Sequence, residues 1–331
     1  IFLRRRPVWF IQGKFLRRIQ RGQNAIRKST ECGGKNMNKA FSNKRSIVLF
    51  MTPAALVFLA VMIIPIFATG YYSTLEWDGI GDATFVGIKN YISLLLDNKY
   101  EFWQSVGHSF IVLFLSVFVQ ETIAMVLALI LAKGVKGESF FRTAFFIPMV
   151  VSTVVIAQLF LKIYNPNYGL LNTMLESLGL GRWANEWLGD PKIAIWAVFI
   201  PLIWQYIGYH MLLFYGAIKS LSTDILEAAR IDGANYFQIS TRIILPLIVP
   251  MIETCVVLAV VGSLKTFDFV YVMTNGGPVG ATEVPSTIMY DLLINRSVYG
   301  EGSAAAVFIV VECLLFTVVL RYAFKKIKEK F

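Results

Sequence analysis

Several polar and ionisable side chains lie inside apolar runs that are long enough to cross a bilayer. They are Gln120, Glu121, Glu253, Lys265, Asp268 and Glu312. A charge in hydrocarbon is costly, so such residues face the interior of a helix bundle or a water-filled path. For Glu121, Glu253 and Glu312 we expect hydrogen bonds between helices. Lys265 and Asp268, with Ser263 beside them, are i, i+3 neighbours on a predicted helix face and are candidates to line a path.

A second candidate set lies in the run that contains "WQYIGYH". Gln205, Tyr206 and Tyr209 are at helical spacing and combine aromatic rings with hydrogen-bonding groups. A sugar can be bound by such a set, because its apolar faces stack on rings and its hydroxyls meet short polar groups. The alternative is that the tyrosines are interfacial anchors. His108 and His210 have no partner at ligand spacing, so no metal site is predicted.

The elements that must position these residues are apolar helices. The 331-residue chain is 56% hydrophobic and only 16% charged, which excludes an ordinary soluble domain. Runs of this length without strand-like alternation indicate helices rather than a barrel. We therefore predict an all-α polytopic membrane protein with six transmembrane helices, at Ser46–Tyr72, Val106–Ala132, Ala144–Ile163, Ile193–Ile218, Leu245–Met273 and Ser303–Phe324.

The distribution of charge predicts the orientation of these helices. Lys and Arg account for the net charge of +10 and crowd residues 1–45, 133–142, 220–246 and 325–331, whereas the opposite loops are acid-rich. By the positive-inside rule, both termini and the segment 220–246 are cytoplasmic. Residues 46–324 form the predicted membrane domain, between a basic tail and a short basic C-terminus. Because Met37 could be a native start, we expect the tail to be partly non-native.

The cytoplasmic segment 220–246 contains "STDILEAARIDGANYFQISTRIILP". Asp224 and Glu227 have the spacing of a capping-box variant, so a short helix should begin near Asp224. Gly233 can end that helix in a left-handed conformation, and a second helix can run from Ala234 to Pro246. Ile225, Ala228, Ala229 and Gly233 would form one face. The simpler alternative is a solvated loop that only connects two spans.

The spacing of small and acidic residues in this segment closely resembles the EAA motif of permease subunits of binding-protein-dependent ABC importers. The matching residues are Glu227, Ala228, Ala229, Asp232, Gly233, Ala234, Leu245, Pro246 and Pro250; Ser240 and Ile244 depart from the usual pattern. The resemblance implies a type I ABC importer permease fold. It also implies that the segment docks on a cytoplasmic ATPase and couples ATP hydrolysis to transport.

Two further stretches narrow the resemblance to carbohydrate-uptake permeases of the maltose and glycerol-phosphate type. They are "LKTFDFVYVMTNGGP", from Leu264 to Pro278, and "FVGIKNY", from Phe85 to Tyr91. A sugar or oligosaccharide is therefore the expected solute. Glycerol phosphate, a polyamine or another small polar solute is the alternative.

The sequence disfavours two other classes of protein, a membrane enzyme and a channel. "DGAN" at Asp232 is similar to the start of a phosphatidyltransferase motif, but the further aspartates needed to bind metal and phosphate do not follow. There is no Walker A pattern, HExxH motif or nucleophile elbow. A homo-oligomeric channel is disfavoured because no filter-like loop repeats. We predict a transport subunit rather than an enzyme.

The resemblance also implies the partners of this chain. They are a second, similar permease, two ATPase subunits that use ATP and Mg²⁺, and an external solute-binding protein, all at the cytoplasmic membrane of a prokaryote. This chain itself is expected to bind no cofactor. No nucleic acid is expected as a partner.

Overall fold

The computed structural model describes residues 44–328. Most of the predicted basic tail, at 1–43, and the last three residues of the predicted C-terminus lie outside the described residues. The chain divides into two units, residues 1–68 and 69–331. In the first unit, helix Lys44–Phe58 continues through a wider, π-type turn at Leu59–Ile63 into helix Ile64–Tyr72, which crosses the unit boundary. The stretch Ile47–Tyr72 is the first span, by its length and apolar composition.

The second unit begins with a short segment that contains two strands. Strands Leu75–Glu76 and Thr84–Phe85 pair antiparallel, with Leu75 opposite Phe85. The Asn90 side-chain amide donates to the carbonyls of Ser73 (2.9 Å) and Leu75 (2.8 Å) and so fixes the base of this hairpin. Three short helical turns follow, at Lys89–Tyr91, Ile92–Leu96 and Lys99–Glu101.

The remaining long helices supply the other spans. The second span is Lys99–Ala132, the fourth is Ala194–Lys219, the fifth is Val249–Met273 and the sixth is Tyr299–Ile327. The second contains helices Phe102–Leu115 and Glu121–Ala132 with a π-type turn at Ser116–Gln120, and the fifth contains helices Val249–Leu264 and Asp268–Met273. Shorter helices lie at Leu170–Ser177, Gly181–Trp183 and Pro285–Tyr290, with a π-type turn at Asp291–Asn295.

The third predicted helix is broken, which corrects the expectation of one continuous element over Ala144–Ile163. Helices Glu138–Val150 and Thr153–Ile163 meet at 93°, so six spans result only if this bent pair is one of them. Val151 and Ser152 are extended, within a run of β-branched residues that are weak helix formers. We call this bent pair the third span.

Contacts from the fourth span hold the break in place. The Gln205 side chain donates to the Val151 carbonyl (3.1 Å) and accepts from Thr153 Oγ1 (3.4 Å), so groups freed by the break regain partners. A Cβ atom at Gly208 would lie 1.8 Å from the Phe145 carbonyl oxygen, and only glycine permits that approach.

The core of the second unit has two main parts. One part joins the second, third, fourth and fifth spans, and includes Val112, Ile156, Phe199 and Val270. The other, called the inner part because it reaches the predicted coupling segment, packs the small residues Ala124 and Ala128 of the second span against Met211 and Phe214 of the fourth. This inner part extends to Ile239 and Ile244, so it also supports the predicted coupling segment.

Candidate functional site

A cavity of about 300 Å³ lies between the second, fourth and fifth spans and is bounded on one side by the bend of the third. Five of the six predicted path residues line it: Tyr206, Tyr209, Ser263, Lys265 and Asp268. Gln205 does not line it, because its side chain points to the break of the third span and is nearly fully buried there. The cavity therefore brings two tyrosine rings together with charges of both signs.

Lys265 and Asp268 do not share one continuous helix face, which corrects the prediction from their spacing. Lys265 caps the end of helix Val249–Leu264, whereas Asp268 opens helix Asp268–Met273. The Ser286 hydroxyl donates to the Thr266 carbonyl, which lies in the break between these helices. The break turns both charged residues toward the cavity, and the carboxylate is at the helix start, where the helix dipole favours it.

Sequence reasoning missed a polar group in the cavity wall. Gln120 Nε2 lies 2.9 Å from His210 Nδ1, and Glu121 Oε1 contacts the same ring nitrogen. Gln120 and His210 line the cavity, and all three side chains are buried. Glu121 therefore contacts His210 of the fourth span, but neither of its carboxylate oxygens has a hydrogen bond within the described residues, so the hydrogen bond expected for it is not found. The signal available in the sequence was the occurrence of these polar residues inside apolar runs.

The predicted coupling segment contains two short helices separated by a sharp turn. Helix Thr223–Ile231 is capped by Ser222, whose side-chain oxygen accepts from Asp224 N (3.2 Å); the expected Asp224–Glu227 cap is replaced by this nearer hydroxyl. Gly233 has φ +82°, donates to the Arg230 carbonyl, and is followed by an Ala234 to Ala229 bond. This is a Schellman motif, as predicted from the glycine at this position.

The second helix starts later than predicted. Asn235 accepts from Gln238 N (2.9 Å), and the Gln238 side chain accepts from Asn235 N (2.9 Å), which forms a capping box. Helix Tyr236–Ile239 therefore begins two residues after Ala234. It continues through a π-type turn at Ser240–Ile244 into helix Leu245–Leu247, where Pro246 occupies the first turn.

The segment has one face packed against the bundle and one exposed face, whereas a single face was expected. Leu226, Ala229 and Ala234 pack against the inner part of the core, whereas Ala228, Glu227, Asp232 and Gly233 are exposed. Leu245 and Pro246 are half-buried. The exposed face also carries large apolar side chains: Ile231 is 85% exposed and Phe237 is 74% exposed. Such apolar groups beside acidic residues are typical of a surface that another protein covers.

Tyr236 fastens the segment to the end of the second span. Its hydroxyl donates to the Leu129 carbonyl, and Lys133 Nζ lies 5.1 Å from the centre of its ring. Burial raises the pKa of the Tyr236 hydroxyl, which keeps it protonated as a donor. The segment is therefore attached to the span whose Ser116 and Gln120 line the cavity.

The helices define a multi-pass membrane protein with a cavity between its spans. Comparisons with known proteins identify the family. Residues 122–329 match the family described as "Binding-protein-dependent transport system inner membrane component". The probable ABC transporter permease protein YurN of Bacillus subtilis (strain 168) is 36% identical, over 87% of this chain and 99% of that protein. The trehalose/maltose transport system permease protein MalF of Thermococcus litoralis is 34% identical, over 82% and 90%.

The fold has also been seen in a solved structure. A chain of the bacterial alginate ABC transporter, crystallised with an alginate pentasaccharide-bound periplasmic protein, gives a TM-score of 0.76 at 22% identity. The match covers 89% of this chain and 97% of that one. This chain belongs to the binding-protein-dependent transport system inner membrane component family and has the permease fold of type I ABC importers.

Proposed function

We propose that this chain is one of two permease subunits of an ATP-driven importer for a sugar or oligosaccharide. The cavity carries the proposal, because Tyr206 and Tyr209 offer ring faces for stacking while Ser263, Lys265 and Asp268 offer hydrogen bonds. The relatives support it, since their names include trehalose/maltose and starch degradation products. Half of the translocation path would be formed by this chain and half by a second permease.

The coupling to ATP is proposed to run through residues 220–246. Glu227, Ala228, Asp232 and Gly233, together with exposed Ile231, would dock on a cytoplasmic ATPase subunit. Ala229, Ala234, Leu245 and Pro246 would support that face from the side of the bundle. ATP and Mg²⁺ would be bound by the two ATPase subunits, so this chain would have no catalytic residues of its own.

The proposed orientation follows from charge. Residues 133–142 carry Lys133, Lys136 and Arg142 against one glutamate, whereas the loops at the other end of the spans are acid-rich. Both termini would then be cytoplasmic, and the acid-rich side would receive solute from an external binding protein.

A small charged solute is the second candidate. Lys265 and Asp268 line the cavity, and neither belongs to any of the ion pairs found among the described residues. Glycerol phosphate could use the ammonium group, and a polyamine could use the carboxylate.

Uptake by the complete assembly in proteoliposomes tests the proposal. Maltose, trehalose, glycerol 3-phosphate and spermidine would be compared, with and without internal ATP. ATP-dependent uptake of either sugar is expected, and Tyr209→Ala should impair it while Tyr322→Ala, an exposed tyrosine of the sixth span, should not. Uptake of only the charged solutes would favour the second candidate. Uptake that is independent of ATP would contradict both.

A further inference from the structure

Three aromatic side chains form a cluster where the fifth span ends. The ring centres of Phe267 and Tyr271 are 5.0 Å apart, those of Phe267 and Tyr290 are 5.2 Å apart, and those of Tyr271 and Tyr290 are 4.9 Å apart. Because these distances are nearly equal, the rings lie at the corners of a triangle and none separates the other two. We call these three residues the aromatic cluster.

The helix that ends the fifth span places Tyr271 beside the cavity wall. Tyr271 is three residues after Asp268 in helix Asp268–Met273, so both lie on one face of that helix. Asp268 lines the cavity, whereas Phe269 and Val270 are buried in the core. Tyr271 therefore continues the face that lines the cavity, one turn farther along the fifth span.

A hydrogen bond from the next helix brings in Tyr290. The Ser286 hydroxyl donates to the Thr266 carbonyl and so holds helix Pro285–Tyr290 against the break in the fifth span. Tyr290 is four residues after Ser286, so it lies on the same face of this helix and reaches Phe267. The contact that joins this helix to the break therefore also assembles the aromatic cluster.

The aromatic cluster leaves surface for a ligand. Phe267 stacks on Tyr271 at an interplanar angle of 17°, and Tyr290 lies at the third corner, so neither ring covers the opposite face of Tyr271. Tyr271 is 36% exposed, and the other two side chains are half-buried. The Tyr271 and Tyr290 hydroxyl oxygens are 3.5 Å apart, which is longer than the usual range of about 2.5–3.0 Å, so both keep hydrogen-bonding capacity.

The aromatic cluster is continuous with the cavity. Phe267 belongs to both, because it lines the cavity together with Lys265 and Asp268. The cavity volume of about 300 Å³ is at the low end of the range for small-molecule sites, which is about 300–1,000 Å³. A linear solute that is longer than the cavity therefore has a polar aromatic surface available next to it.

We propose that the aromatic cluster is a second saccharide subsite, which binds the sugar units of a linear oligosaccharide that extend out of the cavity. This inference rests on the cavity being the solute site of the proposed function. The open face of Tyr271 stacks on one sugar unit, and the hydroxyls of Tyr271 and Tyr290 bind its hydroxyl groups. An aromatic stacking contact changes binding about 2–10-fold, so loss of the ring should disfavour the longer sugar by that factor.

Transport of a short and a long sugar tests the subsite in proteoliposomes that hold the complete assembly. The measured quantity is the kcat/KM of maltopentaose divided by that of maltose. The binding protein is the same throughout, so its own preference cancels when a variant is compared with wild type. Tyr271→Ala and Tyr290→Ala should each lower this quotient about 2–10-fold, and Tyr271→Phe, which keeps the ring, should lower it less. Tyr322→Ala is the matched control, because this exposed tyrosine of the sixth span lies outside the aromatic cluster, and it should leave the quotient unchanged.

Fluorine NMR tests contact with the ring directly. A fluorotyrosine would be placed at position 271 alone, or at position 322 as the control, in the complete assembly. Saturating maltopentaose should shift the signal from position 271 more than saturating maltose does, and neither sugar should shift the signal from position 322. An unmoved signal from position 271 in an assembly that imports maltopentaose would overturn the inference, because a ring with only a packing role does not sense the longer sugar.

The outcomes separate this inference from the proposed function. A wild-type assembly that imports none of maltose, trehalose and maltopentaose refutes the proposed function and this inference with it. A wild type that imports maltose or trehalose but not maltopentaose refutes the inference alone, as does an unchanged quotient in Tyr271→Ala. An equal loss for both sugars also refutes it, because the rings would then support the fold or a contact with the second permease.

Discussion

Replacing Gly233 with alanine strains the turn of the coupling segment without creating a clash. Its φ is +82°, and an added Cβ would meet no atom within 4 Å, so the cost lies in the backbone alone. A left-handed conformation costs an L-residue about 1–2 kcal/mol. That energy changes the equilibrium constant between the native turn and its alternatives by a factor of about 5–30. The turn positions Asp232 of the proposed docking face and Ala234, which packs against the core, so the docking face should be disturbed.

The assay is the ratio of solute imported to ATP hydrolysed, measured in proteoliposomes that hold the complete assembly. Gly233→Ala should lower this ratio, by at most about 5–30-fold, if the native turn is the coupled form, because the native turn cannot lose more population than the equilibrium constant allows. Gly233→Asn should lower it less, because asparagine tolerates the left-handed region better. Gly216→Ala is the matched control, since Gly216 lies within helix Ala194–Lys219 with open space around it.

The reasoning would be refuted if alanine and asparagine at position 233 behaved alike and both matched wild type, with the ATPase still bound. It would also be refuted if Gly216→Ala reduced the ratio as strongly as Gly233→Ala. Either result would mean that the left-handed turn plays no part in coupling.

Three further changes test the packing and the electrostatics. Gly208→Ala should lower the thermal stability of the purified assembly by about 1–3 kcal/mol or more, because the 1.8 Å approach to the Phe145 carbonyl must open to at least 3.0 Å; Gly216→Ala again serves as control. Tyr236→Phe should cost about 1 kcal/mol in thermal unfolding by removing the bond to Leu129, and unchanged stability would contradict that anchor. Burial raises the pKa of the Glu283 carboxyl, in the loop between the fifth and sixth spans, so wild-type stability should fall as pH rises from the ordinary glutamate pKa through the raised one. Glu283→Gln should lack that fall, and parallel melting profiles from about pH 4 to about pH 8 would contradict it.

Local patterns in the sequence predicted the parts of the structure that depend on neighbours along the chain. Apolar runs predicted the spans, and glycine at position 233 predicted the turn that ends helix Thr223–Ile231. The cap at Ser222 was missed because Asp224 offered a competing signal at similar spacing. Such errors of one or two residues arise where several polar side chains compete for the same backbone N–H groups.

Features that depend on distant residues could not be read in the same way. The break at Val151 is held by Gln205, and Gln120 meets His210 from 90 positions away. The helix break between Lys265 and Asp268 is contacted by Ser286, whose hydroxyl donates to the Thr266 carbonyl from the segment between the fifth and sixth spans. The sequence showed each polar residue inside its apolar run. It could not predict which residues contact one another, because those contacts depend on how the helices pack.

Photo-cross-linking from the coupling segment tests the central claim most directly. A benzoylphenylalanine would replace Ile231, which is 85% exposed, or Val279 of the loop between the fifth and sixth spans, which is 93% exposed. In membranes that contain the complete assembly, position 231 should yield an adduct with the ATPase subunit and position 279 should not. An ATPase adduct at position 279, or its absence at position 231 in a transport-active assembly, would contradict both the orientation and the coupling role.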